Sequence, residues 1–425
     1  MKGFAMERLS NAPRTGSPGA GDGPGPIRVL VLDQGPGLWG AQRYLLRLRP
    51  RLLAHGVELT LGAPAELEQY RHWRDHGLPV IEMPLPVGRS IRDDGRISVR
   101  RAVSEAGRSL STPHRIARAV RDGGFHLALA NSHWTHLDAA LAARVWGVRT
   151  VLTLHETPVP GVGAGLRDFA VAAADHTIAV SESVAGTVGD RVRGRVSVIP
   201  NGVDTDRFIP RADPVHRAAI RRELNLPADR RIILAATRLD PSKHIADLLD
   251  LADALGESAT VVIAGATSDH PGYEADMRAR AAALPAHAIR LPGARDDIAE
   301  LLGAADVFVH TGLVEGMPLG LIEAQSAGVP VVAYEAAGVR EAVCDWESGF
   351  VIAPRDRGAL TRAVSALLDS ASMRQAFAVA AREHALAHHR IDDQAAANAA
   401  VLRRVVEPVL ALSLIHISEP TRLGM

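Results

Sequence analysis

Two successive series of short apolar segments, each segment followed by a helical pattern, dominate this sequence. The segments of the first series have the length of buried strands and read I-R-V-L-V-L-D at 27–33, V-E-L-T-L-G-A at 57–63, H-L-A-L-A-N at 126–131, T-V-L-T-L-H at 150–155, H-T-I-A-V-S at 176–181 and V-S-V-I-P at 196–200. Strands that alternate with helices predict a parallel sheet covered by helices on both faces. We therefore expect a first α/β domain that is Rossmann-like and doubly wound.

A second series of the same kind follows a break in the pattern. Its apolar segments read R-I-I-L-A-A-T at 231–237, T-V-V-I-A-G at 260–265, A-I-R-L-P-G at 288–293, D-V-F-V-H-T at 306–311 and V-P-V-V-A-Y at 329–334. The stretch at 201–214 between the series is rich in turn-forming residues and proline, which is typical of a linker. We predict a first domain at 27–205, a linker at 206–230 and a second Rossmann-like domain at 231–390.

The two ends of the chain differ from this pattern. Residues 11–26 are rich in Gly, Pro and Ser, so we expect a disordered leader at 1–26. Residues 391–411 carry apolar residues at helical spacing and predict a helix. The sequence L-S-L-I-H-I-S-E-P-T-R that follows is identical to a translated adapter from DNA library preparation. We therefore expect an adapter-derived tail at 412–425.

The composition excludes several classes of protein. Apolar residues make up 47% of the chain and charged residues 23%, which is the balance of a globular protein with a sizeable core. The single cysteine, Cys344, excludes an internal disulfide and gives no metal-ligand pattern. No apolar run reaches the roughly 18 residues that span a bilayer, and the first residues lack the apolar centre of a signal peptide. The sequence predicts a cytoplasmic protein.

Charge is unevenly divided between the two halves, although the formal net charge is zero. Residues 1–207 carry 26 Lys and Arg against 20 Asp and Glu, whereas residues 208–425 carry 22 against 28. The first half includes a helical stretch in which four arginines lie among leucines, namely Arg43, Arg47, Arg49 and Arg51. Such a stretch suits an anionic membrane surface, which gives the hypothesis of peripheral membrane contact. The alternative is ordinary surface variation; no nucleic-acid partner is predicted.

A glycine-rich loop follows the first predicted strand and reads D-Q-G-P-G-L-W-G-A-Q at 33–42. Glycines here let the backbone approach a ligand phosphate, because no Cβ intrudes. Gly35, Gly37 and Gly40 also match the spacing of a dinucleotide site, so a nicotinamide-dependent oxidoreductase is one alternative. That reading needs an acid at the end of the next strand, whereas Glu58 stands at its start.

The most informative segment of the second half reads H-T-G-L-V-E-G-M-P-L-G-L-I-E-A-Q-S-A-G-V-P-V-V-A at 310–333. Pro318 suits a first helical turn, so we expect Glu315 in the loop before a helix and Glu323 inside it. These carboxylates can accept hydrogen bonds from sugar and ribose hydroxyls, and the backbone N–H groups of Met317–Leu321 can bind a phosphate oxygen. The alternative is that Glu315 caps the helix and Glu323 is solvated.

Two cations follow the first strand of the second series. The sequence A-T-R-L-D-P-S-K-H places Arg238 and Lys243 in one loop, and the chain has only one other lysine, Lys2. A departing nucleoside diphosphate carries several negative charges, which fixed cations can neutralise when no metal does so. The alternative is a pair of solvated loop cations.

Together these motifs resemble the retaining glycosyltransferases of the GT-B fold, family 4, also called glycosyl transferases of group 1. The resemblance covers roughly 27–411, and its most specific pieces are the Glu315-to-Glu323 motif, R-L-D-P-S-K at 238–243, V-I-P-N-G-V-D-T-D-R-F at 198–208 and L-H-E at 154–156. It implies two Rossmann-like, doubly wound parallel-sheet domains that face a central cleft. It also implies that the helix at 391–411 crosses back to pack on the first domain.

The resemblance further implies an activity. The reaction is transfer of a sugar, with retention of anomeric configuration, from a donor linked to UDP, GDP or ADP to an unidentified acceptor. The family needs no bound metal and no cofactor, because the nucleotide sugar is a substrate. A nucleotide-sugar epimerase of the same fold is the second alternative.

The site that the resemblance implies draws on both halves of the chain. The implied roles are diphosphate binding by Arg238 and Lys243, ribose binding by Glu323, contact with donor-sugar hydroxyls by Glu315, contact with the transferred sugar by His155 and phosphate contact by Gly40. The remaining implied donor contacts are Gly316, Met317, Pro318 and Leu319. The implied catalytic set is His155, Arg238, Lys243 and Glu315.

Three positions depart from the family pattern. Trp39 stands where the first loop usually has a glycine, and we expect its side chain to narrow the entrance for the acceptor. Thr237 stands where a glycine often precedes the arginine, and His244 where a glycine often follows the lysine. The last two should alter the shape of the diphosphate loop.

Overall fold

The computed structural model describes residues 25–418, apart from gaps at 36, 87–91, 94–95, 98, 158–161, 212, 227–229 and 266–269. Nearly all of the predicted leader and the last part of the predicted tail, at 419–425, lie outside the described residues.

The strands in chain order are β1 (Ile27–Leu32), β2 (Val57–Ala63), β3 (Val80–Glu82), β4 (Arg92–Asp93), β5 (Arg96–Ile97), β6 (Leu127–Ala130), β7 (Thr150–Leu154), β8 (His176–Ala179), β9 (Val196–Val198), β10 (Arg231–Ala236), β11 (Ala259–Ala264), β12 (Ile289–Gly293), β13 (Val307–His310), β14 (Val331–Tyr334) and β15 (Gly349–Ile352).

The helices in chain order are α1 (Gly40–Ala54), α2 (Glu68–Asp75), α3 (Val99–Asp122), α4 (His133–Trp146), α5 (Val162–Ala173), α6 (Glu182–Ala185), α7 (Asp190–Arg193), α8 (Pro214–Glu223), α9 (Ile245–Leu255), α10 (Pro271–Ala283), α11 (Ile298–Ala304), α12 (Leu319–Ser326), α13 (Val339–Ala342), α14 (Arg357–Asp369), α15 (Ala371–His388) and α16 (Ile391–Ser418). One 3₁₀ turn, Pro241–Lys243, precedes α9.

Two separate parallel sheets form the framework. Over the described residues, the first has seven strands in the order β3-β2-β1-β6-β7-β8-β9, and the second has six in the order β12-β11-β10-β13-β14-β15. Their central strands are buried on both faces, as the continuous apolar runs predict; all side chains from Val29 to Leu32, for example, are fully buried. The predicted fold class, two Rossmann-like doubly wound domains facing a cleft, is confirmed.

The strand order determines where a site can form. In the first sheet β1 lies between β2 and β6, and in the second β10 lies between β11 and β13. At such points the connections leave in opposite directions, which opens a crevice at the carboxyl ends of the strands. Residues 33–35 and 37–39, within the glycine-rich motif, lie at the first point, and the loop at 237–244 with the two cations lies at the second.

The C-terminal helix α16 returns to the first domain. Its buried residues Leu402 and Val406 share one apolar cluster with Leu45 and Leu48 of α1. The helix begins at Ile391, where the sequence predicts a crossover segment, and continues to Ser418. No helix among the described residues is long and apolar enough to cross a membrane.

A short bridge joins the two segments that run between the domains. The N–H of Val203 donates to the carbonyl oxygen of His389 at 2.7 Å, and the N–H of Ile391 donates to that of Val203 at 3.0 Å. The buried His389 ring lies 3.2 Å, through Nδ1, from the carbonyl oxygen of Asn201. Burial lowers the pKa of His389 to about 4.

This buried histidine predicts a pH-dependent stability. Because its pKa is depressed in the folded state, the unfolded chain binds a proton on His389 below about pH 6.5 while the folded chain does not. The free energy of unfolding should therefore fall between pH 7 and 4.5. In H389N, which keeps a donor near Asn201 but cannot titrate, a share of this fall on the order of 2–3 kcal/mol should disappear.

Urea unfolding at pH 7 and pH 4.5 measures the effect, and H388N, a change at the exposed neighbouring residue, is the matched control. An equal loss of stability between the two pH values in the wild type and H389N would show that His389 does not take part.

Candidate active site

The carboxyl ends of both sheets border one cleft of about 460 Å³. All of the residues that the sequence implicates line it, namely Gly40, His155, Arg238, Lys243, Glu315, Gly316, Met317, Pro318, Leu319 and Glu323. The structure thus brings together residues of both domains. The two that are farthest apart in the sequence, Gly40 and Glu323, are separated by 283 positions.

A largely but not fully buried ion pair lies on the second-domain side of the cleft. Lys243 Nζ binds Glu315 Oε1, and His310 Nε2 lies 3.1 Å from the same oxygen. Burial alone would raise the pKa of Glu315, but Lys243 and His310 outweigh it and hold the pKa at about 2. Glu315 is therefore a carboxylate at neutral pH.

The loop that carries Arg238 and Lys243 has an unusual backbone. Asp240 accepts hydrogen bonds from the N–H and hydroxyl of Ser242, at 2.9 and 2.6 Å, and so closes the 3₁₀ turn. His244 then adopts φ 49° in the left-handed region that favours glycine. The family's usual glycine adopts this conformation without strain, whereas His244 has to adopt it with a Cβ.

Thr237 is held by the end of the neighbouring strand. Its N–H donates to the carbonyl oxygen of Ala264 at 3.0 Å, and a Cβ at Gly265 would lie 1.7 Å from the Thr237 carbonyl oxygen. The start of the loop at 237–244 can therefore approach β11 only because residue 265 is glycine.

Two helices begin at the cleft without a side-chain cap. Trp39 precedes α1 and Pro318 precedes α12, and neither side chain accepts from the free N–H groups of its helix. A Cβ on Gly40 would lie 3.9 Å from the side chain of Leu319, so the two helix starts face each other across the cleft. Both starts carry partial positive charge and unsatisfied N–H groups, which suits an anion between them.

Glu323 lies within α12, as the sequence predicts, but it already has a partner. Its almost buried carboxylate binds Arg47 Nη1 of α1 through Oε1. This contact between the domains was missed by sequence reasoning, because Arg47 and Glu323 lie far apart in the chain and in different motifs.

The arginines of α1 bear on the hypothesis of membrane contact. Arg43 binds Asp296 at 3.1 Å, Arg51 binds Asp204 at 2.7 Å, and Arg47 binds Glu323. All three guanidinium groups bind carboxylates of this chain, and two of those carboxylates, Asp296 and Glu323, belong to the second domain. Membrane contact stays a prediction.

A series of side-chain hydrogen bonds links Asp33, Asn131 and His155. Asn131 Nδ2 donates to Asp33 Oδ2 at 2.6 Å, and its Oδ1 lies 2.9 Å from His155 Nε2. The amide oxygen can only accept, so His155 carries its proton on Nε2 and leaves Nδ1 unprotonated. Burial lowers the pKa of His155 to about 4, which keeps the ring neutral.

Sequence reasoning missed Asp33 and Asn131. The available signal was position, since Asp33 directly follows β1 and Asn131 directly follows β6, the two strands that flank the crevice of the first sheet.

The domains touch at Gly316. A Cβ on this residue would lie 1.9 Å from the carbonyl oxygen of His155. Beside it, Asn201 Nδ2 of the first domain donates to the carbonyl oxygen of Met317 at 2.9 Å. Only glycine permits this approach.

Comparison with known proteins decides the family. The model of Glycosyltransferase Family 4 matches residues 39–207, and that of Glycosyl transferases group 1 matches residues 216–384. The D-inositol 3-phosphate glycosyltransferase of Stackebrandtia nassauensis is 30% identical over 324 residues, which cover 69% of this chain and 72% of that protein. The chain belongs to glycosyltransferase family 4. It is a glycosyltransferase, and the resemblance stated from its motifs is confirmed.

Further relatives agree. The D-inositol 3-phosphate glycosyltransferase 2 of Catenulispora acidiphila is 30% identical over 325 residues, 69% of this chain and 74% of that protein. Among solved structures, Anabaena HepE in complex with UDP-glucose has a TM-score of 0.71 at 19% identity and covers 91% of this chain and 99% of its own. A glycosyltransferase from Rickettsia africae has a TM-score of 0.74 at 17% identity, with 90% and 99% covered. These structures share the fold.

The contact at Gly316 yields a prediction. In G316A the new Cβ would collide with a backbone oxygen, which no side-chain rotation relieves, so the second domain must shift away from His155. A displacement of about 1 Å can cost about 10²-fold in rate. We expect a loss of transferase activity of that order and a larger radius of gyration in X-ray solution scattering.

The matched control is G272A, since a Cβ at that position of α10 meets nothing within 4 Å. Wild-type activity in G316A would contradict the claim that this approach sets the geometry of the cleft.

Proposed function

We propose that this glycosyltransferase binds a UDP-linked sugar in the cleft and transfers the sugar to an acceptor with retention of configuration and without a bound metal. The observation that carries the proposal is the convergence of Arg238, Lys243 and two uncapped helix starts on the cleft that also holds Glu315 and Glu323.

The diphosphate of the donor requires positive charge that is already in place. Arg238 offers a planar fork and Lys243 a point charge, while Gly40 and Leu319, the first residues of α1 and α12, line the same cleft. Such fixed groups stabilise the charge that develops on the leaving diphosphate without reorganisation. Lys243 serves two anions, because it also binds the carboxylate of Glu315.

The two glutamates have separate parts in this proposal. Glu315 is ionised and lies beside Lys243, so it accepts hydrogen bonds from hydroxyls of the donor sugar. Glu323 binds Arg47 through Oε1, which leaves Oε2 for the ribose diol, since a carboxylate can accept about four hydrogen bonds.

His155 offers an acceptor to the sugar from the first domain. The ring is neutral, and its Nδ1 lone pair can accept a hydrogen bond from a hydroxyl of the sugar. Asp33 and Asn131 hold the ring in this tautomer, so the chain from β1 to His155 orients the side chain rather than moving a proton.

The donor base is supported by the structures of Anabaena HepE, which are described as complexes with UDP and with UDP-glucose. The acceptor is unidentified. The relatives from Stackebrandtia and Catenulispora are named for D-inositol 3-phosphate, so this compound is the first acceptor to be tried.

Both alternatives from the sequence are less well supported. A dinucleotide enzyme needs an acid at the carboxyl end of β2, whereas Glu58 lies at the opposite end of that strand and points to solvent. An epimerase acts on the donor without an acceptor, whereas the family models and the named relatives describe transferases.

The experiment is incubation with UDP-glucose, UDP-N-acetylglucosamine, GDP-mannose and ADP-glucose, each with and without D-inositol 3-phosphate. Proton NMR would follow the loss of donor and the coupling constant of the new anomeric proton. The proposal expects release of UDP that depends on acceptor and an α-linked product from an α-linked donor. A β-linked product, or conversion of the donor sugar without acceptor, would contradict it.

Substitution of the two glutamates separates their roles. E315Q should reduce turnover about 10²–10³-fold without weakening UDP binding, because UDP carries no sugar and Lys243 is released from its anionic partner. E323A should weaken the binding of UDP, because the ribose hydroxyls lose the carboxylate that accepts their hydrogen bonds. Calorimetric titration with UDP and steady-state rates measure both effects.

Two controls accompany these variants. E347Q changes an exposed glutamate of the second domain, and R47A removes the partner of Glu323 while keeping its carboxylate. Loss of UDP affinity in E315Q with retention in E323A would reverse the assignment.

A further inference from the structure

The indole of Trp39 lies over the guanidinium group of Arg238, with 4.2 Å between the guanidinium carbon and the ring centroid. Trp39 directly precedes α1 in the first domain, whereas Arg238 follows β10 in the second. The contact therefore crosses the cleft and forms only when the domains are as close as they are in this structure. Sequence reasoning assigned Trp39 to the acceptor entrance, but its ring contacts a cation expected to bind the donor.

The Trp39 ring packs closely against Gly37 in the loop before α1. A Cβ on Gly37 would lie 2.7 Å from Trp39 Nε1, so the glycine leaves room for the indole to fold back over the loop. Arg238 Nη1 also donates to Asp240 Oδ2 at 3.3 Å. The guanidinium group thus contacts a ring of the first domain and a carboxylate of its own loop.

Stacking and phosphate binding use different parts of a guanidinium group. Its N–H donors point outward in the plane, where they bind a phosphate bidentately, whereas its face carries no donor. An aromatic ring on the face leaves the donors free, excludes water from one side and limits the rotamers of the side chain. The ring therefore prepares the cation for an anion in its plane without competing for it.

We propose that Trp39 is a positioning residue for Arg238: it orders this cation for a nucleoside diphosphate, and does so only in the closed arrangement of the domains. The inference rests on the proposed function, which assigns Arg238 to the donor diphosphate. It also gives the departure from the family's glycine at this position a role in donor binding.

A double-mutant cycle with UDP as the probe tests the inference. Calorimetry would measure UDP affinity in the wild type, W39A, R238A and the double variant. W39A should weaken UDP about 5- to 30-fold, the range of a partly desolvated cation–π contact. In the R238A background, W39A should lower UDP affinity less than about 2-fold, because the guanidinium group that Trp39 contacts is absent. W39F should recover part of the affinity.

Two further variants separate positioning from a general effect on structure. G37A should displace the indole and weaken UDP in the same direction as W39A while the ring is still present. W134A serves as the matched control; Trp134 lines the same cleft but packs on His133, with ring centroids 4.4 Å apart, so its effect should be equal in both backgrounds.

The outcomes are distinct. The inference would be overturned if W39A lowered UDP affinity equally with and without Arg238, or if W39A had no effect on UDP affinity while R238A clearly lowered it. Either result would leave the proposed function standing. No effect of R238A on UDP affinity would overturn the assignment of the diphosphate site, and the inference with it.

Discussion

The close approach of Gly316 to the carbonyl oxygen of His155 sets the distance between the two domains, and the contacts across the cleft depend on that distance. A residue with a Cβ at position 316 would hold the sheets apart. With glycine, the start of α12 faces the start of α1, and Trp39 reaches Arg238. The positive groups of both domains then surround one space, which neither domain encloses by itself.

Opposite charges stabilise this arrangement. The first half of the sequence is basic and the second acidic, and part of this difference lies across the cleft in the pairs Arg43–Asp296 and Arg47–Glu323. Glu341 of the second domain adds a third contact, since its carboxylate accepts from the N–H groups of Glu182 and Ser183 at the start of α6, at 2.7 and 2.8 Å. The Arg43 pair is exposed and contributes little, whereas the Arg47–Glu323 pair is mostly buried, so loss of either partner would leave an uncompensated charge between the domains.

The sequence predicted elements and loops far better than contacts between domains. Apolar runs identified the strands because parallel strands are buried on both faces, and the two cations could be placed because they lie in the loop that follows a strand. The contacts of Trp39 and Arg47 could not be predicted, since each joins segments that only the folded chain brings together. The approach of Asn131 to Asp33 could have been inferred, because both residues directly follow strands that are neighbours in the first sheet. A family pattern gives no guidance where this chain departs from it, as at Trp39.

A crystal structure with UDP would test the central claim most directly. We expect the diphosphate within hydrogen-bond distance of Arg238 and Lys243, between the starts of α1 and α12, with the ribose hydroxyls on Glu323 and the indole of Trp39 still over Arg238. UDP bound with its diphosphate away from both cations, or on the second domain alone with the cleft open, would contradict the account.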